Sequence, residues 1–169
     1  MNKPDINTIA SPFHKYLDLT PDGDLLESLQ LINKFTIDAL ENIPKEKEDF
    51  KYEADKWSLK KVICHLIASE IYFCDLAIRL TKEDSETSLN YRLEKYDVGE
   101  NSQKSLPEIS KDFMATRKAT IQFFQDFDPN LMENIYTING NDYSPIGIGY
   151  IIMGHELHHM NIIQEKYLN

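Results

Sequence analysis

Five histidines stand at positions 14, 65, 155, 158 and 159, and three of them fall together in Gly154-His155-Glu156-Leu157-His158-His159. A spacing of four places His155 and His159 one turn apart on the same face of a helix, close enough to hold one metal ion between them. Ile148, Ile152 and Ile162 fall on that face too, so the pair should point into a core. His65 shares a face with Val62, Leu66 and Phe73 and should also look inward. Two facing helices would then supply three imidazoles. Burying them without partners would cost about 1–3 kcal/mol apiece, and a divalent ion satisfies all three at once. The plainer alternatives are a core histidine satisfied by a neighbour at His65, and a stacked, hydrogen-bonded pair at His155 and His159.

Three neutral imidazoles would leave a coordination position open, which marks a catalytic rather than a structural site. A zinc, nickel or other divalent ion could lower the pKa of a bound water towards neutrality, or bind and activate a thiol. The run from His155 to His159 also reads HExxH, the zincin signature. That motif takes its third ligand from further downstream, where ten residues follow His159, so the zincin reading is not preferred. Glu156 lies 100° around the helix from His155 and has three readings: an outer carboxylate, a base for the metal-bound water, or a solvated or interfacial charge. The last is the ordinary expectation. Tyr72, Tyr143 and Tyr150 could donate hydrogen bonds near a pocket, although aromatic residues at helical spacing are usually core or interface. Trp57 should pack the start of its helix. Cys64 adjoins His65 but points about 100° away, so the two should not share an ion. His14 is assigned no role.

The elements that must carry these residues read as helices, because apolar residues recur at three and four between sparse Gly and Pro. A first long helix is expected from Thr20-Pro21-Asp22 to Pro44, and a second from Trp57-Ser58, with Ser58 as cap, towards Leu80. Residues 81–104 read as a long loop with a Tyr91-to-Tyr96 island. A third helix opens on the capping-box pattern Ser105-Leu106-Pro107-Glu108 and runs to Asp128-Pro129. Strand-like residues Ile135 to Ile138 precede a turn at Asn139-Gly140-Asn141-Asp142, and a last helix runs from Ser144-Pro145 to Leu168. A shorter helical piece is expected over Thr8 to Leu17. Four long helices with two long connections describe an all-α bundle and one domain spanning 1–169.

With 169 residues, 41 % hydrophobic and 27 % charged, the chain is of ordinary globular make-up and can build a core without disulfides or metals. Its net charge of -10, with no basic stripe, argues against nucleic acid as a partner. Cys64 and Cys74 would sit about 15 Å apart on one helix and cannot pair, so both read as buried thiols in a reducing compartment. Neither a signal peptide nor a membrane span is legible. The expectation is a soluble cytoplasmic protein.

The string Lys56-Trp57-Ser58-Leu59-Lys60-Lys61-Val62-Ile63-Cys64-His65-Leu66-Ile67-Ala68-Ser69-Glu70, followed by Gly154-His155-Glu156-Leu157-His158-His159 and the ending Glu165-Lys166-Tyr167-Leu168, resembles the DinB-like superfamily. The resemblance implies an up-down-down-up four-helix bundle, usually a homodimer, with a divalent metal on His65, His155 and His159. His158 falls where histidine is common without being a ligand. Ser69 stands where an acidic residue is usual and Leu76 where an arginine is expected, with Arg79 nearby, so no substrate is inherited. Similar proteins include metal-dependent hydrolases and enzymes that use low-molecular-weight thiols such as bacillithiol or mycothiol. A thiol cofactor bearing carboxylates would call for Arg79, Arg92, Arg117 or Lys118 at the pocket mouth. The resulting expectation is a metal-dependent hydrolase or thiol transferase acting on a small molecule. The alternative is a non-catalytic helical dimer that binds a metal or small ligand.

Overall fold

The computed structural model describes residues 1–82 and 103–169. Most of the expected loop over 81–104, including the Tyr91-to-Tyr96 island and Arg92, lies outside the described residues. Among the described residues, four long helices carry the architecture: α1 (Leu25–Glu41), α2 (Leu59–Thr81), α3 (Leu106–Asp126) and α4 (Pro145–Ile162).

Their starts follow from capping chemistry. The Ser58 hydroxyl accepts the Lys61 amide ahead of α2, Ser144 accepts the Gly147 amide ahead of α4, and Ser105 with Glu108 forms the expected capping box ahead of α3. Helix α1 begins later than Thr20-Pro21-Asp22 suggested. Gly23 has φ +138°, which interrupts any helical path, and Asp24 then accepts the amides of Leu26 and Glu27 to open the helix. Helix α4 ends its regular ladder at Ile162, and Ile163–Leu168 continue as a wider π turn. The expected piece near Thr8 to Leu17 is a chain of short turns, Ile6–Thr8 and Ser11–Phe13, closing on a single α turn, His14–Leu17. Between α3 and α4 a small hairpin pairs β1 (Tyr136–Ile138) with β2 (Asn141–Tyr143). Asn139 and Gly140 both have positive φ, 51° and 75°, as a tight hairpin turn requires.

Side-chain contacts give the helix directions. Tyr150 donates to the Gly23 carbonyl and Thr36 to Glu156, so α1 and α4 run parallel. Tyr167 reaches the Trp57 carbonyl while His65 meets His155, so α2 and α4 are antiparallel. Arg117 meets Glu70 and Cys74 meets Thr120, so α3 runs parallel to α2. The bundle is therefore up-down-down-up, and α1 and α2 each pack against both α3 and α4.

The apolar core is divided. One cluster, with Leu25, Leu29, Leu76 and Ile151, fills the end where α1 and α4 begin; another, with Leu40, Leu59, Ile63 and Phe113, fills the end where α2 and α3 begin. At mid-height lie Thr36, His65, Glu70, Arg117, His155 and Glu156, all buried. That polar belt contains the three-histidine cluster's two buried members, His65 and His155. Among the described residues no helix is long and apolar enough to cross a membrane.

Candidate metal centre

His65 comes from the first half of α2, and His155 and His159 from the second half of α4. Because α2 and α4 are antiparallel, these stretches lie side by side. The Nε2 atom of His155 is 3.2 Å from Nε2 of His65 and 3.1 Å from Nε2 of His159, and the three potential ligand atoms lie within 4.8 Å of one another. His65 and His155 are buried and His159 is partly buried.

The residues present fit a metal ion. A single in-plane lone pair or N–H at His155 Nε2 can serve one neighbouring nitrogen well, not two. Metal–imidazole bonds of about 2.0–2.1 Å put adjacent ligand nitrogens about 2.9 Å apart at a right angle and about 3.4 Å apart at the tetrahedral angle. The separations of 3.1 and 3.2 Å fall between those limits. Burial also keeps the rings in the neutral form that a metal needs. It lowers the His65 pKa to about 4, and together with its neighbouring imidazoles it lowers His155 to about 2 and His159 to about 3.

The triad opens on a pocket of about 420 Å³ whose wall includes Phe13, Tyr16, Tyr72, Phe73, Tyr143 and His158. Aromatic rings orient the imidazoles: Trp57 stands 4.9 Å from His65 and Tyr16 5.2 Å edge-on to His155, measured between ring centroids. Tyr16 reaches this position because the His14–Leu17 turn lies directly on α4 at Gly154. A Cβ at Gly154 would overlap the Tyr16 carbonyl oxygen, so only glycine permits the approach.

A family model described as the DinB superfamily matches residues 34–163. The chain belongs to the DinB superfamily. No curated protein matches it. Within this DinB chain the matched span contains all three histidines of the cluster, on the two helices where the resemblance put them.

Several expectations about individual residues need correction. Glu156 is not a solvated charge. It is 1 % exposed, accepts a hydrogen bond from Thr36 Oγ1 at 2.6 Å and lies 2.7 Å from Arg117 Nη2. The reason is that α4 packs on α1, on α2 and on the His14–Leu17 turn, so this stretch has no solvent face. Arg117 does not gather at the pocket mouth. It is buried between Glu70 and Glu156, whose carboxylates hold its guanidinium well above the usual range against the opposing effect of burial. Arg79 is engaged by Asp75 at 3.0 Å, and Lys118 is exposed on α3. Tyr72 and Tyr143 do line the pocket, whereas Tyr150 is tied to the Gly23 carbonyl away from it. Trp57 is 39 % exposed and leans on His65. His14 bonds the Ile9 carbonyl, and both cysteines are free thiols. Sequence reasoning missed Tyr16 and Phe13. Their only signal was aromatic character in a segment without long periodicity.

Proposed function

We propose that this DinB superfamily protein is a metal-dependent enzyme acting on a small, uncharged and largely apolar molecule, with His65, His155 and His159 holding a divalent ion such as zinc or nickel. The observation that carries the reading is that three converged imidazole nitrogens open onto an aromatic-walled pocket of about 420 Å³, within the size range of small-molecule sites. An ion bound there would supply Lewis-acid chemistry, acidifying a water or a thiol. The chain's own residues bind and shield. The three histidines offer neutral nitrogen donors, Tyr16, Phe73 and Trp57 pack against them, and Tyr72 and Tyr143 line the pocket. Burial pushes the Tyr143 pKa up from its ordinary value, so its phenol keeps its proton into the alkaline range.

Among the described residues, the pocket wall carries no Lys, Arg, Asp or Glu. This favours hydrolysis over transfer from a carboxylate-bearing thiol, which would call for cations at the wall. The competing reading is a helical protein that holds a metal without turning anything over. Metal analysis of the purified protein beside His65→Ala and His159→Ala variants tests the centre. Stoichiometric metal in the wild type and its loss from both variants is expected, and full retention in both removes the triad. Exchangeable water on bound Co²⁺, measured by proton relaxation, then separates an open site from a closed one. The homodimer that the family resemblance implies is tested by sedimentation, with a mass near twice 19.7 kDa expected.

A further inference from the structure

Beside the histidines, each long helix contributes a buried polar side chain to one cluster in the middle of the bundle: Thr36 from α1, Glu70 from α2, Arg117 from α3 and Glu156 from α4, none more than 3 % exposed. Arg117 Nε and Nη2 donate to the two carboxylate oxygens of Glu70, both at 2.8 Å. The same Nη2 lies 2.7 Å from Glu156 Oε2, and Thr36 Oγ1 donates to Glu156 Oε1 at 2.6 Å. Only a planar guanidinium can hold one carboxylate with two parallel bonds and touch a second; an ammonium is a point charge without that fork. Glu70 stands five residues after His65 on α2, and Glu156 directly follows His155 on α4. Between the two carboxylates and the His155 ring, Leu66, Phe73 and Ile152 close a gap that has no room for a water molecule. The two carboxylates and the His155 ring thus border one gap too small for water.

We infer that Arg117 is a positioning residue for the metal centre: its bridge from Glu70 to Glu156 sets the relative height and rotation of the two helices that carry the histidines. The inference rests on the metal reading of the triad. Its force comes from tolerance. Nitrogens of His65 and His159, each 3.1–3.2 Å from that of His155 and all within 4.8 Å of one another, must address one point, and a slide of α2 against α4 by a fraction of an ångström would take His65 out of the set. Without the guanidinium fork the two carboxylates lose their shared partner, and this tie between α2 and α4 at the height of the histidines is gone.

Two variants test it. Arg117→Lys keeps the charge and loses the fork. The triple variant Glu70→Gln/Arg117→Met/Glu156→Gln keeps the shape without charge, and serves if Arg117→Lys does not fold. The readouts are Co²⁺ and Zn²⁺ dissociation constants, the visible spectrum of bound Co²⁺, and the imidazole ¹⁵N signals of the metal-free protein. Expected are helical circular dichroism like the wild type, Co²⁺ binding about 10- to 100-fold weaker, an altered Co²⁺ spectrum, and shifted ¹⁵N signals of His65 and His155. A change in melting temperature alone would mark a merely structural node. The inference is overturned if a folded variant binds Co²⁺ within about twofold of wild type with unchanged imidazole signals. Should the wild type bind no Co²⁺ at all, the metal reading fails, while the metal-free imidazole signals still decide the role of Arg117.

Discussion

Acidifying the metal-free protein should destabilise it steeply below pH 6.5. Burial holds the folded-state pKa of His65 at about 4 and that of His155 at about 2, against an ordinary value of 6.5. In the unfolded chain both rings titrate near that ordinary value. Below pH 6.5 the unfolded chain therefore binds protons that the folded chain refuses until the much lower values are reached. Stability present above pH 6.5 is lost as the pH falls, at about 1.4 kcal/mol per pH unit for each ring. Each unfolded ring is only half protonated at pH 6.5, so the two rings together remove about 2 kcal/mol between pH 6.5 and 5.5, a sizeable share of the about 5–15 kcal/mol that holds an ordinary domain together. His159 acts in the same direction. Glu156, whose pKa burial raises, acts in the opposite one and softens the slope. The assay is urea denaturation after chelator treatment at pH 7.5, 6.5 and 5.5, followed by equimolar zinc at the highest pH. The midpoint should be flat above neutrality, fall steeply on the acid side, and rise with zinc. A metal-free midpoint that stays the same from pH 7.5 to 5.5 would refute the buried, neutral triad, because solvated imidazoles carry no such slope.

Other outcomes follow from single contacts. Gly154→Ala should displace the His14–Leu17 turn from α4, lowering stability by about 1–3 kcal/mol and making the chain ahead of α1 an early tryptic cut in limited proteolysis. Thr36→Val removes the hydrogen bond to Glu156 in a buried setting and should lower the urea-derived stability by about 1–2 kcal/mol, with metal stoichiometry unchanged. Tyr167→Phe removes the bond to the Trp57 carbonyl, 2.8 Å long, and should lower stability by about 1 kcal/mol. Burial raises the Cys74 thiol to about 12 and pushes Cys64 up as well, so both should react with iodoacetamide at pH 8 far more slowly than in urea.

Much of this architecture was legible because it rests on local rules. Ser58, Ser105 with Glu108, and Ser144 announce three helix starts, and a spacing of four on α4 brings His155 and His159 together wherever that helix packs. The apolar neighbours of His65 turned it inward without reference to any other element. The burial of Glu156 was not legible for a physical reason. A hydrophobic pattern assigns one buried and one wet face to each helix, but α4 is covered on three sides from Pro145 to Glu156, and the wet face assumed for Glu156 does not exist there. Arg117 on α3 and Glu70 on α2 are distant in sequence, and no spacing rule pairs a guanidinium with carboxylates on two other helices. Tyr16 escaped because a four-residue helical turn has too short a pattern to reveal which way it faces.

The polar belt at mid-height is a concession in stability that a bundle has no folding reason to make. The apolar clusters at its two ends would meet if Glu70, Arg117 and Glu156 were hydrophobic, and replacing a buried ion-pair triad by well-packed apolar groups is often neutral or stabilising by about 1–4 kcal/mol. A Glu70→Leu/Arg117→Met/Glu156→Leu variant should therefore melt at or above the wild-type temperature. If Arg117 sets the histidines, that same protein should bind Co²⁺ about 10- to 100-fold more weakly, so that stability and metal affinity move in opposite directions. A variant that loses stability and metal affinity in step would mean that the node only holds the helices together. One that gains stability with its affinity intact would mean that Leu66, Phe73 and Ile152 alone suffice to seat the imidazoles.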